Sequence, residues 1–405
     1  MDLKKIEALK NENEDAFFPD YKNSILGLSA SILQYFGVKP EHETFPPADE
    51  MLSRKYKHVV VIILDGLGMN ILEQNLHFKD FLRRHLLTDY SSVFPPTTTA
   101  STTSFLSGKS PVEHGWLGWD VYFGQEDKTV TCFKNTIQGT SEQAAPYNVA
   151  EKYLPYESII EKINKTGTAK AFSVLPFGEN AQTDLYKWVE TIRKTCKTDQ
   201  KTFTYAYWAN PDTELHQKGT KSNDIEKLVR ELNEKITYLC EETPNTLFFI
   251  TADHGHTDIR NDFLQENYPD LANMLLRQPS VEPRALSFFV KPEFLQDFPK
   301  KFKQSFGHDY ILLTKQEALD IELFGPGKPN ENLTGIGDFV AIATGQKTLL
   351  WNKNQTQFKS HHAGITKNEM RIPLICYKNR PRHIGLIIYY CLIAAVLAVI
   401  LLALF

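Results

Sequence analysis

Short apolar runs alternate along this chain with stretches whose apolar residues recur every three or four positions. Runs at residues 59–64, 171–175, 203–209, 247–251, 285–290 and 339–342 are rich in β-branched and aromatic side chains, and their lengths suit strands rather than helices. The run at 59–64 is continuously apolar, the pattern of a central parallel strand covered on both faces. Between the runs at 203–209 and 247–251, Ile225, Leu228, Val229, Leu232, Ile236 and Leu239 fall along one face of a helix. Strands alternating with amphipathic helices predict an α/β fold with a mainly parallel central sheet flanked by helices.

The same patterning divides the chain. Residues 1–50 read as a helical preamble that ends at Phe45-Pro46-Pro47, and residues 51–258 as the main part of the core. Residues 259–359 carry their own strand and helix signals without a ligand-like cluster, which predicts an inserted smaller α/β subdomain; residues 360–379 return the chain to the core. Residues 384–405 hold no charge, and as a helix they span roughly 33 Å, enough for the hydrocarbon core of a bilayer. Apolarity on every side argues against a buried core helix there. With Lys378, Arg380 and Arg382 on its N-terminal flank, this predicts a single-pass C-terminal transmembrane helix with the catalytic part in the cytoplasm. Residues 1–15 are rich in Lys and Glu and lack the apolar centre of a secretory signal.

Composition narrows the classes. Hydrophobic residues make up 42% and charged residues 23% of the 405, the balance of a folded globular chain. A net charge of −4, with no basic stripe outside the C-terminal flank, leaves no surface suited to nucleic acid. Cys132, Cys196, Cys240, Cys376 and Cys391 lack CxxC spacing, which argues against a disulfide framework and a cysteine metal site.

Polar clusters follow the apolar runs. Asp65 comes directly after the first, between Leu64 and the glycines Gly66 and Gly68. On its own it reads as a helix cap as readily as a metal ligand. After residues 90–94, Pro95 and Pro96 lead into a Thr- and Ser-rich segment that can form a helix ended by Gly108. A hydroxyl at a helix N-terminus lies where the dipole favours a phosphoryl group, although threonine is also a common cap. Asp212 and His216 are four residues apart, one helical turn, and so share a face. Asp253-His254-Gly255-His256 places two ligand types directly after a strand, and His361-His362 is ambiguous as a pair. His256 and Glu214 read as outer partners or bystanders. Carboxylates and imidazoles without thiolate suit zinc or manganese, and the carboxyl edge of an open α/β sheet is where ligands bind.

The order Asp, Thr, Asp-x-x-x-His, Asp-His, His resembles the alkaline phosphatase superfamily. It is most similar to the type I phosphodiesterase/nucleotide pyrophosphatase branch, over residues 57–377. The resemblance implies an alkaline-phosphatase-like core and two divalent ions, zinc or alternatively manganese. Asp65, Thr98, Asp253 and His254 match the ligands of one ion, and Asp212, His216 and His362 those of the other. Thr98 is chosen over its neighbours because it stands ten residues before Gly108, the family's nucleophile-to-glycine spacing. His362 is chosen over His361 because His362-Ala363-Gly364 with Glu369-Met370 and Pro373 matches the closing motif. Residues 107–115, SGKSPVEHG, match the loop after the nucleophile helix.

Two positions depart from the pattern. Ser101 stands where many relatives carry an asparagine that holds a phosphoryl oxygen, and Ala363 stands where glycine is usual. The implied activity is hydrolysis of a small-molecule or lipid-linked phosphate ester through a covalent threonine intermediate. The rivals are a phosphomonoesterase, phosphonate hydrolase or phosphomutase on the same frame, and a membrane-tethered binding protein without turnover. Trp116, Trp119, Tyr122 and Phe123 serve equally as a substrate wall or as core.

Overall fold

The computed structural model describes residues 3–13, 15–178 and 180–379. Six strands form the central sheet: β1 (His58–Leu64), β2 (Leu86–Ser91), β3 (Lys170–Val174), β4 (Thr202–Trp208), β5 (Thr246–Thr251) and β6 (Arg371–Asn379). Their order is β2-β6-β5-β1-β4-β3. β1 runs parallel to β4 and β5, and β3 parallel to β4. β6 lies antiparallel between β5 and β2, so the sheet is mixed. All seven residues of β1 are buried, as are those of β4, because helices cover both faces. Each such Val, Ile or Leu side chain taken from water contributes about 1.5–3 kcal/mol.

The predicted amphipathic helix is Asn223–Glu241, which buries Ile225, Val229, Leu232, Ile236 and Leu239 against the sheet. Helix Ile25–Tyr35, within the expected preamble, belongs to the same core. Two helices matter for the site: α1 (Thr98–Ser107), closed by Gly108 in the left-handed region, and α2 (Asp212–Lys218). Ser29 of Ile25–Tyr35 donates to the Phe105 carbonyl of α1 at 2.6 Å and fixes the far end of that helix.

A second, antiparallel sheet of seven strands stands beside the first. Its order is Tyr310–Thr314, Phe339–Ala343, Ala285–Phe288, Ser280–Glu282, Asp120–Phe123, Lys128–Thr131 and Thr136–Ile137. The apolar runs at 285–290 and 339–342 therefore serve this sheet and not the central one. Three of its strands come from residues 120–137, well before the segment that carries the other four.

The expected membrane location is corrected. Among the described residues no helix is long and apolar enough to cross a membrane, and the span expected at residues 384–405 lies outside the described residues. The single-pass C-terminal anchor, and the cytoplasmic placement read from its flank, are therefore without support.

Candidate active site

The register of the central strands brings the polar clusters together. Leu64 pairs with Trp208 and Ile63 with Thr251, so β1, β4 and β5 end level with one another. Asp65 leaves β1 first, and Gly66 turns the chain at φ +73°. A Cβ on Gly66 would lie 3.0 Å from the Asp212 backbone and 3.1 Å from the His256 ring, so only glycine lets the two loops meet. β4 leads through Asn210 and Pro211 into α2, whose first residue is Asp212 and whose next turn carries His216. β5 delivers Asp253 and His254. His362 follows the short strand Ser360–His361, which pairs with Thr257–Asp258.

Seven side chains named from the sequence converge in two groups. Thr98 Oγ1 lies 3.2 and 3.4 Å from the Asp65 carboxylate oxygens and 3.3 Å from His254 Nε2. His254 Nε2 is 3.2 Å from Asp65 and 3.6 Å from Asp253. In the second group, Asp212 Oδ1 lies 3.4 Å from His216 Nε2 and 3.7 Å from His362 Nε2. The His254 and His362 rings stack with centroids 3.8 Å apart, which joins the groups.

Three observations test whether this arrangement fits metal ions. First, His216, His254 and His362 each direct Nδ1 at a backbone carbonyl, of Ser360, Gly255 and Pro96, at 2.9, 3.1 and 3.2 Å. A carbonyl only accepts, so Nδ1 holds the proton and the Nε2 lone pair faces the cluster. Second, Asp253 Oδ2 is fully buried without a hydrogen bond, while Oδ1 accepts from the amides of Gly66 and His254. Third, the carboxyls are crowded. Burial and the neighbouring Asp65 charge push Asp253 up to about 8, and burial with the Asp212 charge pushes Asp65 well above its ordinary value. Burial acts the same way on Asp212, but His216 and His256 outweigh it and hold that carboxyl low. A cation relieves such crowding, and the residues fit one. The groups Asp65–Asp253–His254, Asp212–His254–His256–His362 and His216–His361–His362 each offer ligand atoms close enough for one ion.

Further partners surround these groups; Tyr207 and Glu282 carried no signal in the sequence, whereas His256 read there as an outer partner or bystander. Tyr207, inside the apolar run of β4, donates to Asp65. His256 Nε2 lies 2.6 Å from Asp212 Oδ1. Glu282, on the second sheet, accepts from Thr97 Oγ1 at 2.7 Å and from the Trp119 amide at 2.8 Å, and burial raises it to about 7. Ser101 is fully buried and shares a 2.8 Å hydrogen bond with Ser92 rather than facing the cleft. The aromatic segment divides: Trp116 and Phe123 are core, whereas Trp119 is 40% exposed and lines the cleft. That cleft holds about 710 Å³ and opens onto Thr98, Asp212, His216 and His362.

Ala363, where the family favours glycine, sits at φ +86° and is fully buried. Left-handed backbone costs a non-glycine residue about 1–2 kcal/mol, while glycine adds about 0.4–1 kcal/mol of unfolded-state entropy. Ala363→Gly is expected to gain up to about 1 kcal/mol, read as a higher urea midpoint. A lower midpoint would show that the buried methyl contributes more than the strain costs.

Comparisons with known proteins identify relatives of this fold. Murine ectonucleotide pyrophosphatase/phosphodiesterase 5 superposes with a TM-score of 0.60 at 17% identity, covering 79% of this chain and 88% of its own. The human protein of that name gives 0.59 at 15% identity, with 80% and 89% covered. An inactive threonine-to-alanine variant of the murine protein, in complex with AMP, gives 0.60 at 16% identity, with 80% and 88% covered. A search of curated proteins gave no match. Residues 59–362 match the family described as type I phosphodiesterase/nucleotide pyrophosphatase. That span is most of the chain and contains all seven converging side chains, so this protein belongs to the type I phosphodiesterase/nucleotide pyrophosphatase family and is a phosphoric ester hydrolase.

Proposed function

We propose that this hydrolase is a two-metal phosphodiesterase or nucleotide pyrophosphatase that works through a covalent phosphothreonine at Thr98. The reading rests on one observation: the Thr98 hydroxyl stands at the N-terminus of α1 within 3.4 Å of both a buried carboxylate and an imidazole. The free N–H groups of that first turn and the helix dipole attract a phosphoryl oxygen. The Thr98 hydroxyl gives up its proton to water in the cleft, its oxygen bonds to phosphorus, and the bond from phosphorus to the leaving oxygen breaks, with the electron pair departing on that oxygen, which takes a proton from water. Water then cleaves the phosphothreonine and restores the hydroxyl, so one hard displacement becomes two easier ones.

Asp65, Asp253, His254 and Thr98 would hold one ion and Asp212, His216 and His362 the other; zinc suits this set, with manganese as the alternative. Bound there, the ions supply Lewis acidity to the attacking and departing oxygens. The protein's own part is orientation. Tyr207 and the Gly66 amide hold the carboxylates, and the three Nδ1–H donors hold the imidazoles. The AMP held by the murine variant makes a nucleotide ester the natural first substrate.

The test is hydrolysis of bis-p-nitrophenyl phosphate and p-nitrophenyl phosphate by protein purified without chelator. Preference for the diester, loss of turnover in EDTA and recovery with zinc or manganese are expected. Preference for the monoester would move the assignment to a phosphomonoesterase, and turnover indifferent to EDTA would remove the metals.

A further inference from the structure

The second sheet delivers one carboxylate to the nucleophile's doorstep. Glu282 ends the strand Ser280–Glu282, is buried, and lines the same cleft as Thr98. Both hydrogen bonds it receives, from Thr97 Oγ1 and the Trp119 amide, go to Oε1. Thr97 occupies the N-cap position of α1 immediately before Thr98, and its hydroxyl ties Glu282 to the start of that helix.

The backbone shows that this direction is imposed. Val281 sits at φ +77°, a region that β-branched residues strongly disfavour, and is held there by pairing with Asp120 and Leu286. Strain of this kind persists where the surroundings over-determine it, and it gathers at working sites. The rest of the cleft does not neutralise the carboxylate. Among the described residues lining it, Lys134 is the only lysine or arginine, against Asp120, Asp212 and Glu282. Lys134 itself lies over the Trp119 ring, 5.6 Å from its centroid.

We propose that Glu282 is a specificity-determining residue that disfavours any ester bringing a second negative charge to the phosphoryl position. The preferred substrate is then a monoanionic diester, and dianionic monoesters are disfavoured. This rests on the reading of Thr98 and its neighbours as a phosphodiesterase site.

The experiment compares kcat/KM for bis-p-nitrophenyl phosphate and p-nitrophenyl phosphate at alkaline pH, in the metal-loaded full chain. Glu282→Gln keeps an oxygen to accept both hydrogen bonds but removes the charge, and is expected to raise the monoester-to-diester ratio roughly tenfold. Thr97→Val removes a hydrogen bond and keeps the charge, so its ratio stays within about twofold of wild type. An unmoved ratio in Glu282→Gln, or an equal shift in Thr97→Val, would assign Glu282 to positioning alone and overturn the inference. Inhibition of the wild-type protein gives an arm that needs no variant. Monoanionic dimethyl phosphate is expected to inhibit at lower concentration than dianionic inorganic phosphate, and the reverse order overturns the proposal. Wild-type protein that hydrolyses neither ester would instead bring down the phosphodiesterase reading, and this inference with it.

Discussion

Thr98→Ala is expected to lower turnover of bis-p-nitrophenyl phosphate by on the order of 10³-fold or more, the scale seen when a covalent nucleophile is deleted. Thr98 is half-buried at the start of α1 and its hydroxyl touches Asp65 and His254. The substitution deletes one oxygen and one methyl group and leaves the helix, its N-cap residue Thr97 and six of the seven converging side chains in place. The thermal midpoint should therefore shift by no more than a few degrees. Metal content, read by elemental analysis, should fall by less than half. Together these separate loss of a nucleophile from loss of the site. Thr97→Ala is the needed control, because Thr97 Oγ1 donates to Glu282, whereas Thr98 Oγ1 is the hydroxyl in contact with Asp65 and His254. If Thr97→Ala abolished turnover and Thr98→Ala did not, the nucleophile would be reassigned by one residue.

The parts of this fold that could be read from the sequence are those where burial on both faces leaves no room for polar residues. β1, β4 and β5 are such strands, and each hands a short polar cluster to the carboxyl edge. β6 was not legible for the opposite reason. It begins with Arg371, contains Pro373 and ends in Lys378-Asn379, and proline argues against a strand inside a sheet. Here Pro373 faces Asp89 of β2, across the side of the sheet where pairing becomes irregular one residue later. Tyr207 was hidden in another way, since a tyrosine in an apolar strand reads as core, and only the register shows that its hydroxyl reaches Asp65. Glu282 is an isolated acid with no periodic or motif context. Its role depends on the left-handed turn at Val281 and on strands contributed by residues 120–137, neither of which has a local sequence signal. The aromatic segment at 116–123 divides between core and cleft because the second sheet covers Phe123 and leaves Trp119 open.

Breaking the ion pair between Arg284, in the turn joining strands Ser280–Glu282 and Ala285–Phe288, and Glu369, in the short helix Lys367–Met370 that precedes β6, is expected to have the largest effect on stability. Arg284 and Glu369 are both fully buried. Nε and Nη2 of the arginine donate to the two carboxylate oxygens at 2.6 and 2.8 Å, while Nη1 and Nη2 also donate to the carbonyls of Lys347 and Gly345. Glu369 in turn accepts from the Gly364 amide at 2.7 Å and the Thr366 hydroxyl at 2.6 Å, which fixes the segment just after His362. Glu369→Ala strands a guanidinium away from water, and such a loss costs about 3–5 kcal/mol, a large share of the 5–15 kcal/mol typical of a folded domain. Arg284→Met leaves the carboxylate with two local donors and should cost less. Replacing both, as Arg284→Met with Glu369→Leu, is expected to be less harmful than Glu369→Ala alone, because desolvation of the charges no longer opposes folding. Urea unfolding of the two single variants and the double variant, taken as a cycle, measures the coupling directly. A coupling below about 0.5 kcal/mol would mean that the pair is carried by the packing around it. A value of several kcal/mol, accompanied by weaker metal retention in Glu369→Ala, would mean that the geometry around His362 depends on a contact made with the second sheet.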